Sequence, residues 1–100
     1  MPEPEKFIVI CKELLKIEPK QDAGREWYID EYKLKNKLLM DIRFYPPMAY
    51  SVVPEKYNGV FIIHIGPEGA WSDEKQRKTY HTNTFDNFKT ILKKVLKENV

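Results

Sequence analysis

The hydrophobic period changes twice along this chain, and those two changes restrict the folds open to it. Phe7, Ile10, Cys11, Leu14 and Leu15 stand at i, i+3, i+4, i+7 and i+8, the spacing that gathers side chains on one face of an α-helix. Leu38, Met40, Ile42 and Phe44 then alternate with Leu39, Asp41, Arg43 and Tyr45, a period of two that a strand turns into two faces. Helical spacing returns at Phe85, Phe88, Leu92, Val95 and Leu96, joined by Ile91. Helices at both ends and extended chain between them read as an α+β domain spanning residues 1–100, the length of one ordinary domain.

Local signals set the expected boundaries. Pro4 suits a first helical turn, Glu3 and Glu5 suit its positive end, and Pro19 blocks extension. Ile8, Val9 and Ile17 are expected to widen the buried face of that helix, and Lys16 and Lys20 to complement its far end. Composition switches to aromatic and β-branched residues from Arg25, with Trp27 and Ile29 on one face and Tyr28 and Tyr32 on the other. Asn36 is suited to the left-handed conformation of a tight turn, so Arg25–Leu34 pairs with Lys37–Tyr45 as a hairpin. Pro46 and Pro47 end the second strand. Ala49–Val53 reads as a short edge strand, Tyr57-Asn58-Gly59 as a turn, and Val60–Ile65 as the central strand, apolar except for His64. Residues 66–78 lack periodicity, Thr79–Thr82 reads as a short strand, and Asn83 or Thr84 caps the last helix, with Asp86 in its first turn. The expected order is α-β-β-(β)-β-β-α: an antiparallel sheet of about four strands with both helices packed on one face.

Composition narrows the class. Apolar residues make up 42% of the chain, enough for a core, and seventeen basic against fifteen acidic side chains leave a net charge of +2, too small to argue for nucleic acid by itself. One cysteine excludes an internal disulfide and a cysteine-based zinc cluster. No run approaches the roughly 20 apolar residues of a membrane-spanning helix, and nothing resembles a signal peptide. No membrane association is expected, and the cytoplasm is the expected location. Nucleotide-binding and serine-hydrolase fingerprints are absent, as are zinc-protease patterns, so no cofactor and no metal are expected.

Several residues invite a functional reading beside a structural one. His64, inside an apolar strand, fits either an acid or base aimed into a pocket or a hydrogen-bonded histidine on the more open sheet face. His81 with Arg77 and Tyr80 matches the needs of a small metal-independent ribonuclease: a base, a phosphate clamp and a hydrogen-bond donor. His64 and His81 are far apart in sequence, which argues against a shared metal. Cys11 falls on the apolar face of the first helix and reads as a small core residue. Trp71 in the long polar loop, with Tyr45 and Tyr50 near a strand exit and Arg77, supplies the residue types that protein interfaces use at their centres. Trp71 also suits a plug over the sheet end.

Two basic patterns point elsewhere. Trp27, Tyr28 and Tyr32 beside Lys33, Lys35, Lys37 and Arg43 suit a stacking surface for single-stranded nucleic acid. Glu26, Asp30, Glu31 and Asp41 lie among them, and cross-strand ion pairs account for the same pattern. Lys89, Lys93 and Lys97 form a stripe on the last helix, which with Lys75, Arg77 and Lys78 is the candidate nucleic-acid surface.

The order helix, hairpin, Tyr45-Pro46-Pro47, then His81-Thr82-Asn83 resembles the ubiquitin-conjugating and RWD group. In that group a meander follows an N-terminal helix, and a tyrosine-proline turn and a His-Pro-Asn motif recur. Thr82 stands here in place of the proline and no cysteine follows it, so the resemblance carries no conjugating activity. The expected function is therefore a small non-enzymatic binding protein (adaptor, inhibitor or regulator) whose partner is another protein. Nucleic-acid binding, with or without ribonuclease activity, is the alternative. An open sheet face or edge strand also suits a homodimer.

Overall fold

The computed structural model describes residues 4–22, 26–35, 37–46, 60–67 and 77–98. In chain order the elements are α1 (Pro4–Leu15), β1 (Lys20–Gln21), β2 (Trp27–Lys33), β3 (Leu39–Tyr45), β4 (Val60–Gly66), β5 (Lys78–Thr82) and α2 (Phe85–Glu98). The five strands form one antiparallel sheet in the order β1-β2-β3-β4-β5, so each strand pairs with its neighbours in sequence. This is the α+β arrangement expected, with a helix at each end. β1 is an addition to the expected strands, and the short strand expected at Ala49–Val53 lies outside the described residues. β4, read from its apolar run as the central strand, is an interior strand one place from the edge; β3 is the middle one.

Every phenylalanine of the chain meets in one cluster. Phe7 of α1 lies 5.4 Å from Phe44 of β3 and 5.6 Å from Phe88 of α2, measured between ring centroids. Phe61 of β4 stacks on Phe44 at 4.5 Å and on Phe88 at 4.7 Å, and Phe85 meets its edge at 6.3 Å. Ile29, Met40, Ile42, Ile63 and Ile65 extend this core across the sheet, and Ile10, Cys11, Leu15, Leu92 and Val95 close it from the helices. Both helices thus cover the same sheet face. Truncating one of the buried rings to alanine is the costliest class of core change, about 3–5 kcal/mol.

α1 is narrower and shorter than the sequence suggests. Val9 is 52% exposed and Ile17 39% exposed, so neither widens the buried face. Val9 stands two residues from Phe7, roughly 200° around the helix, and therefore looks away from the sheet. α1 stops at Leu15 because Lys16 takes a left-handed φ of 60°, and its N–H returns to the Lys12 carbonyl at 3.2 Å. α2 starts as expected: the Thr84 hydroxyl accepts the Asn87 N–H at 3.2 Å, capping the first turn.

The β2–β3 hairpin contains a bulge that the period of two does not reveal. Ile29 pairs with Ile42 but Tyr32 pairs with Met40, so Asp30 and Glu31 together face Asp41. Glu31 takes a left-handed φ of 54° and its N–H donates to Asp41 Oδ1 at 2.7 Å. One extra residue reverses the alternation. Tyr32, expected on the face of Tyr28, packs instead against the core. At the hairpin tip the Leu34 N–H donates to the Leu38 carbonyl at 2.8 Å and the Lys37 N–H to the Leu34 carbonyl at 3.1 Å. Lys37 carries the left-handed φ of 70° there, whereas Asn36, favoured for that role by its side chain, lies outside the described residues.

Lys16, Glu31 and Lys37 each hold a backbone region that disfavours a Cβ atom. Lys16→Gly, at the exposed end of α1, is expected to stabilise the protein by about 0.5–1 kcal/mol. Chemical denaturation reads this as a higher midpoint with an unchanged slope. A lower midpoint would show that the left-handed position contributes no strain.

Candidate functional site

The sheet face turned away from the helices is where the candidate chemistry collects. Its first row runs Tyr28–Arg43–Ile62–His81 across β2 to β5, and its second runs Asp41–His64–Thr79. Leu39, Val60 and Ile62 on this face are buried but stand apart from the main core cluster. Of the polar members between them, Tyr28, Asp41, Arg43 and His64 are half-buried, whereas Thr79 and His81 are exposed.

Arg43 is the hub of the β2 side. Its Nε lies 2.9 Å from Glu26 Oε1, its Nη1 lies 2.6 Å from Asp30 Oδ1, and its guanidinium sits 5.1 Å from the centre of the Tyr28 ring. These residues and Asp22 line a recess of about 190 Å³. Burial is the main cause that raises the Glu26 carboxyl, helped by a hydrogen bond with the Asp22 side chain and opposed by Arg43 and by the Tyr45 hydroxyl, which bonds to it. The Asp41 carboxyl is also raised, first by burial, and the Glu31 N–H pulls the other way. Cross-strand ion pairing therefore accounts for the mixed aromatic and charged pattern of β2 and β3. The stacking surface that pattern suggested does not form: Trp27 and Tyr32 pack against the core from the other face, and Tyr28 is covered by Arg43.

His64 is the hub of the β5 side. Its Nδ1 shares a 2.9 Å hydrogen bond with Thr79 Oγ1, directly across the strand pair. Arg77 and His81 lie on the same face at the two diagonals, two residues before and after Thr79. Burial pushes the His64 imidazole down to about 4, and Arg77, His81 and Arg43 push in the same direction. His64 is thus neutral near pH 7, hydrogen-bonded on the more open face, and a weak base. Asp41 stands directly across from it on β3, yet that carboxylate is engaged by the Glu31 N–H.

The two histidines, remote in sequence, are therefore diagonal neighbours. Sequence distance misleads here because the register of β4 with β5 is not encoded in the eleven residues between them. No group of three or more metal-ligating side chains occurs among the described residues. The ribonuclease set is divided by strand alternation: His81 and Arg77 face one way, while Tyr80 faces the helices, packed against the core with Lys78 Nζ 5.1 Å from its ring. The three cannot converge on one substrate atom, because the sheet lies between them.

The basic set is divided in the same way. Arg77 stands on the open face and Lys78 on the helix side. Lys89 lines a groove of about 430 Å³ between α1 and α2, with Glu5, Glu13 and Asp86 among its neighbours. Lys93 and Lys97 are exposed on α2. Of the interface candidates, Tyr45 lies at the end of β3 on the open face, half-buried, and Arg77 shares that face. Trp71, Tyr50 and Lys75 lie outside the described residues. Cys11 is fully buried, and burial raises its thiol to about 12, which removes the thiolate needed for reactivity.

Comparison of the chain with protein families, with curated proteins and with solved structures found no match. His81-Thr82, quoted above for a resemblance, forms the end of β5. No described helix is long and apolar enough to cross a membrane.

Two outcomes follow from these environments. A histidine held near 4 in the fold and near 6.5 when unfolded binds its proton preferentially in the unfolded chain between those values. Stability is expected to fall as pH drops from about 6.5 towards 4, and to level off below. Glu26 and Asp41, raised in the fold, act in the opposite sense, so the measurement is the difference between the protein and His64→Gln. The variant should lose less stability over that window, and identical pH profiles would remove His64 as the cause. Cys11 should react with a soluble thiol reagent only at the rate of global opening, accelerating in step with added denaturant; rapid labelling of the native protein would contradict its burial.

Proposed function

We propose that this chain is a small non-enzymatic binding protein, an adaptor, inhibitor or regulator, that meets another protein through the sheet face opposite its helices. The observation that supports this reading is the division of charge on that face. Asp22, Glu26, Asp30 and Glu31 gather towards the β1–β2 edge around Arg43 and beside Lys20, with Asp41 next to them on β3, and Arg77 and His81 stand towards β5. A polypeptide carries both signs of charge and can complement both halves at once. A nucleic-acid strand carries one sign and would meet five carboxylates on leaving the basic half.

Side-chain type and order favour the same reading. Tyr28 and Arg43 are residues that interface centres use, and here the ion pairs to Glu26 and Asp30 have already ordered the arginine, which lowers the entropy cost of docking. Tyr45 and Arg77 extend the surface, with Trp71 and Tyr50 as further proposed anchors. The lysines of α2 belong to the other side of the sheet, so they do not add to this surface. A single buried thiol suits a reducing, cytoplasmic setting.

Titration with mixed single-stranded RNA and DNA at low and moderate salt, followed by tryptophan fluorescence and by inspection of the nucleic acid for cleavage, tests the reading against its alternative. The expected result is neither a salt-sensitive signal nor cleavage. Saturable binding that weakens steeply with salt would overturn the proposal in favour of nucleic acid. In affinity capture, a partner retained by the protein and by Lys93→Glu should be lost with Arg77→Glu and weakened by more than about 1 kcal/mol with Trp71→Ala. Equal loss with Lys93→Glu would move the contact to the helices.

A further inference from the structure

The groove of about 430 Å³ between α1 and α2 lies on the helix side of the sheet, away from the face assigned above to protein contact. Its floor is apolar: Val9 and Ile10 of α1 and Phe85 of α2. Ile10 is buried, but Val9 is 52% exposed in the groove mouth. One exposed valine is ordinary on a protein surface, and its surroundings are what set this one apart. Glu5 and Glu13 stand four residues before and four after it, so acid, valine and acid follow one another along α1 with a rise of about 6 Å at each step. Asp86 lines the opposite wall. None of these three carboxylates has an ion-pair partner among the described residues.

Two cations share the groove, and neither offsets the α1 stripe. Lys6 directs its Nζ over the Phe85 ring, 5.8 Å from the centre. Lys89 stands one turn from Asp86 on α2, so that wall carries one charge of each sign. The uncompensated negative charge therefore brackets the exposed valine.

We propose that this groove docks one amphipathic helix of a partner protein, whose contact stripe is a cation, an apolar residue and a second cation at four-residue spacing. A helix laid along α1 repeats at the same pitch, so its two cations meet Glu5 and Glu13 while the apolar side chain between them enters the recess against Val9, Ile10 and Phe85. The stripe rises about 12 Å from Glu5 to Glu13, within the roughly 18 Å of a twelve-residue helix, so about three turns of the occupant suffice. The same carboxylates repel a nucleic-acid strand or an anionic lipid surface. A second copy of this chain is a poorer match: the stripe its α2 offers is Lys89, Lys93 and Lys97, which sets a lysine rather than an apolar side chain opposite Val9. The groove and the open sheet face lie on different sides of the molecule, so both can be occupied at once and neither reading rests on the other.

Amide NMR of the protein tests this with three synthetic peptides in one alanine-rich helical host. The first carries Lys, Leu and Lys at four-residue spacing, the second the same three residues at two-residue spacing, and the third Glu, Leu and Glu at four-residue spacing. The first is expected to give saturable shifts confined to α1 and α2, and the other two to bind at least about tenfold more weakly. Glu5→Gln combined with Glu13→Gln, and separately Val9→Ser, should each weaken the first peptide by about fivefold or more with native amide dispersion, since all three positions are exposed. Val9→Ser carries the test if the double variant unfolds. No saturable shift at millimolar peptide, equal binding of the first two peptides, or shifts centred on the sheet face would each overturn the proposal. Shifts at the groove that grow with protein concentration in the absence of peptide would assign it to a second copy and overturn the proposal as well. None of these readings involves the sheet face, so failure here leaves the proposed function standing.

Discussion

Five phenylalanine rings hold this structure together, and most of its other features are arranged around them. Phe44 and Phe61 come from neighbouring strands, Phe7 from one helix and Phe85 and Phe88 from the other, so three separate layers of contact meet at one point. Aromatic pairs of this kind contribute about 0.5–1.5 kcal/mol beyond the area they bury, and the stacked Phe44–Phe61–Phe88 series aligns the sheet beneath α2. The direction of the cluster decides what the rest of the sheet can do. With all five rings on one face, the polar residues of β3, β4 and β5 are left to the other.

That other face is organised by a local defect rather than by regular pairing. The bulge at Asp30–Glu31 sends Tyr32 to the core and keeps Asp30 beside Arg43. It also brings the Glu31 N–H to Asp41, so the carboxylate across from His64 has another occupation. Two hubs result, an arginine held by acids and a histidine bonded to Thr79 with Arg77 and His81 at its diagonals, separated by one strand spacing. The charge division of the face is a product of backbone geometry as much as of composition.

The elements were legible in the sequence wherever a period ran without interruption. The main faces of α1 and α2, the alternation of β3 and the buried run of β4 followed from spacing alone, and residue type narrowed the cap of α2 to Asn83 or Thr84, of which Thr84 holds it. Tyr32 was misplaced because a bulge adds a residue without a composition signal; the neighbouring Asp30 and Glu31 carry no glycine to announce it. Lys37 and Lys16 concealed left-handed positions for the same reason. The site was less legible than the fold. Strand alternation alone already separates Tyr80 from His81, but the meeting of His64 with His81 depends on the register of β4 with β5 across a long connection. Local sequence does not encode such a register. The half-buried state of Arg43 was hidden in a similar way, because its partners Glu26 and Asp30 lie on another strand.

The placement of Phe7 and Phe88 also has a consequence in time. These rings touch although 81 residues (88 − 7) separate them in the chain. The meander between them can form by successive pairing of strands that are neighbours in sequence. α1 is available to cover part of its apolar face, but the part under Phe88, Leu92 and Val95 stays open until α2 has been synthesised. During translation that part of the sheet is therefore exposed, and only α2 can shield it.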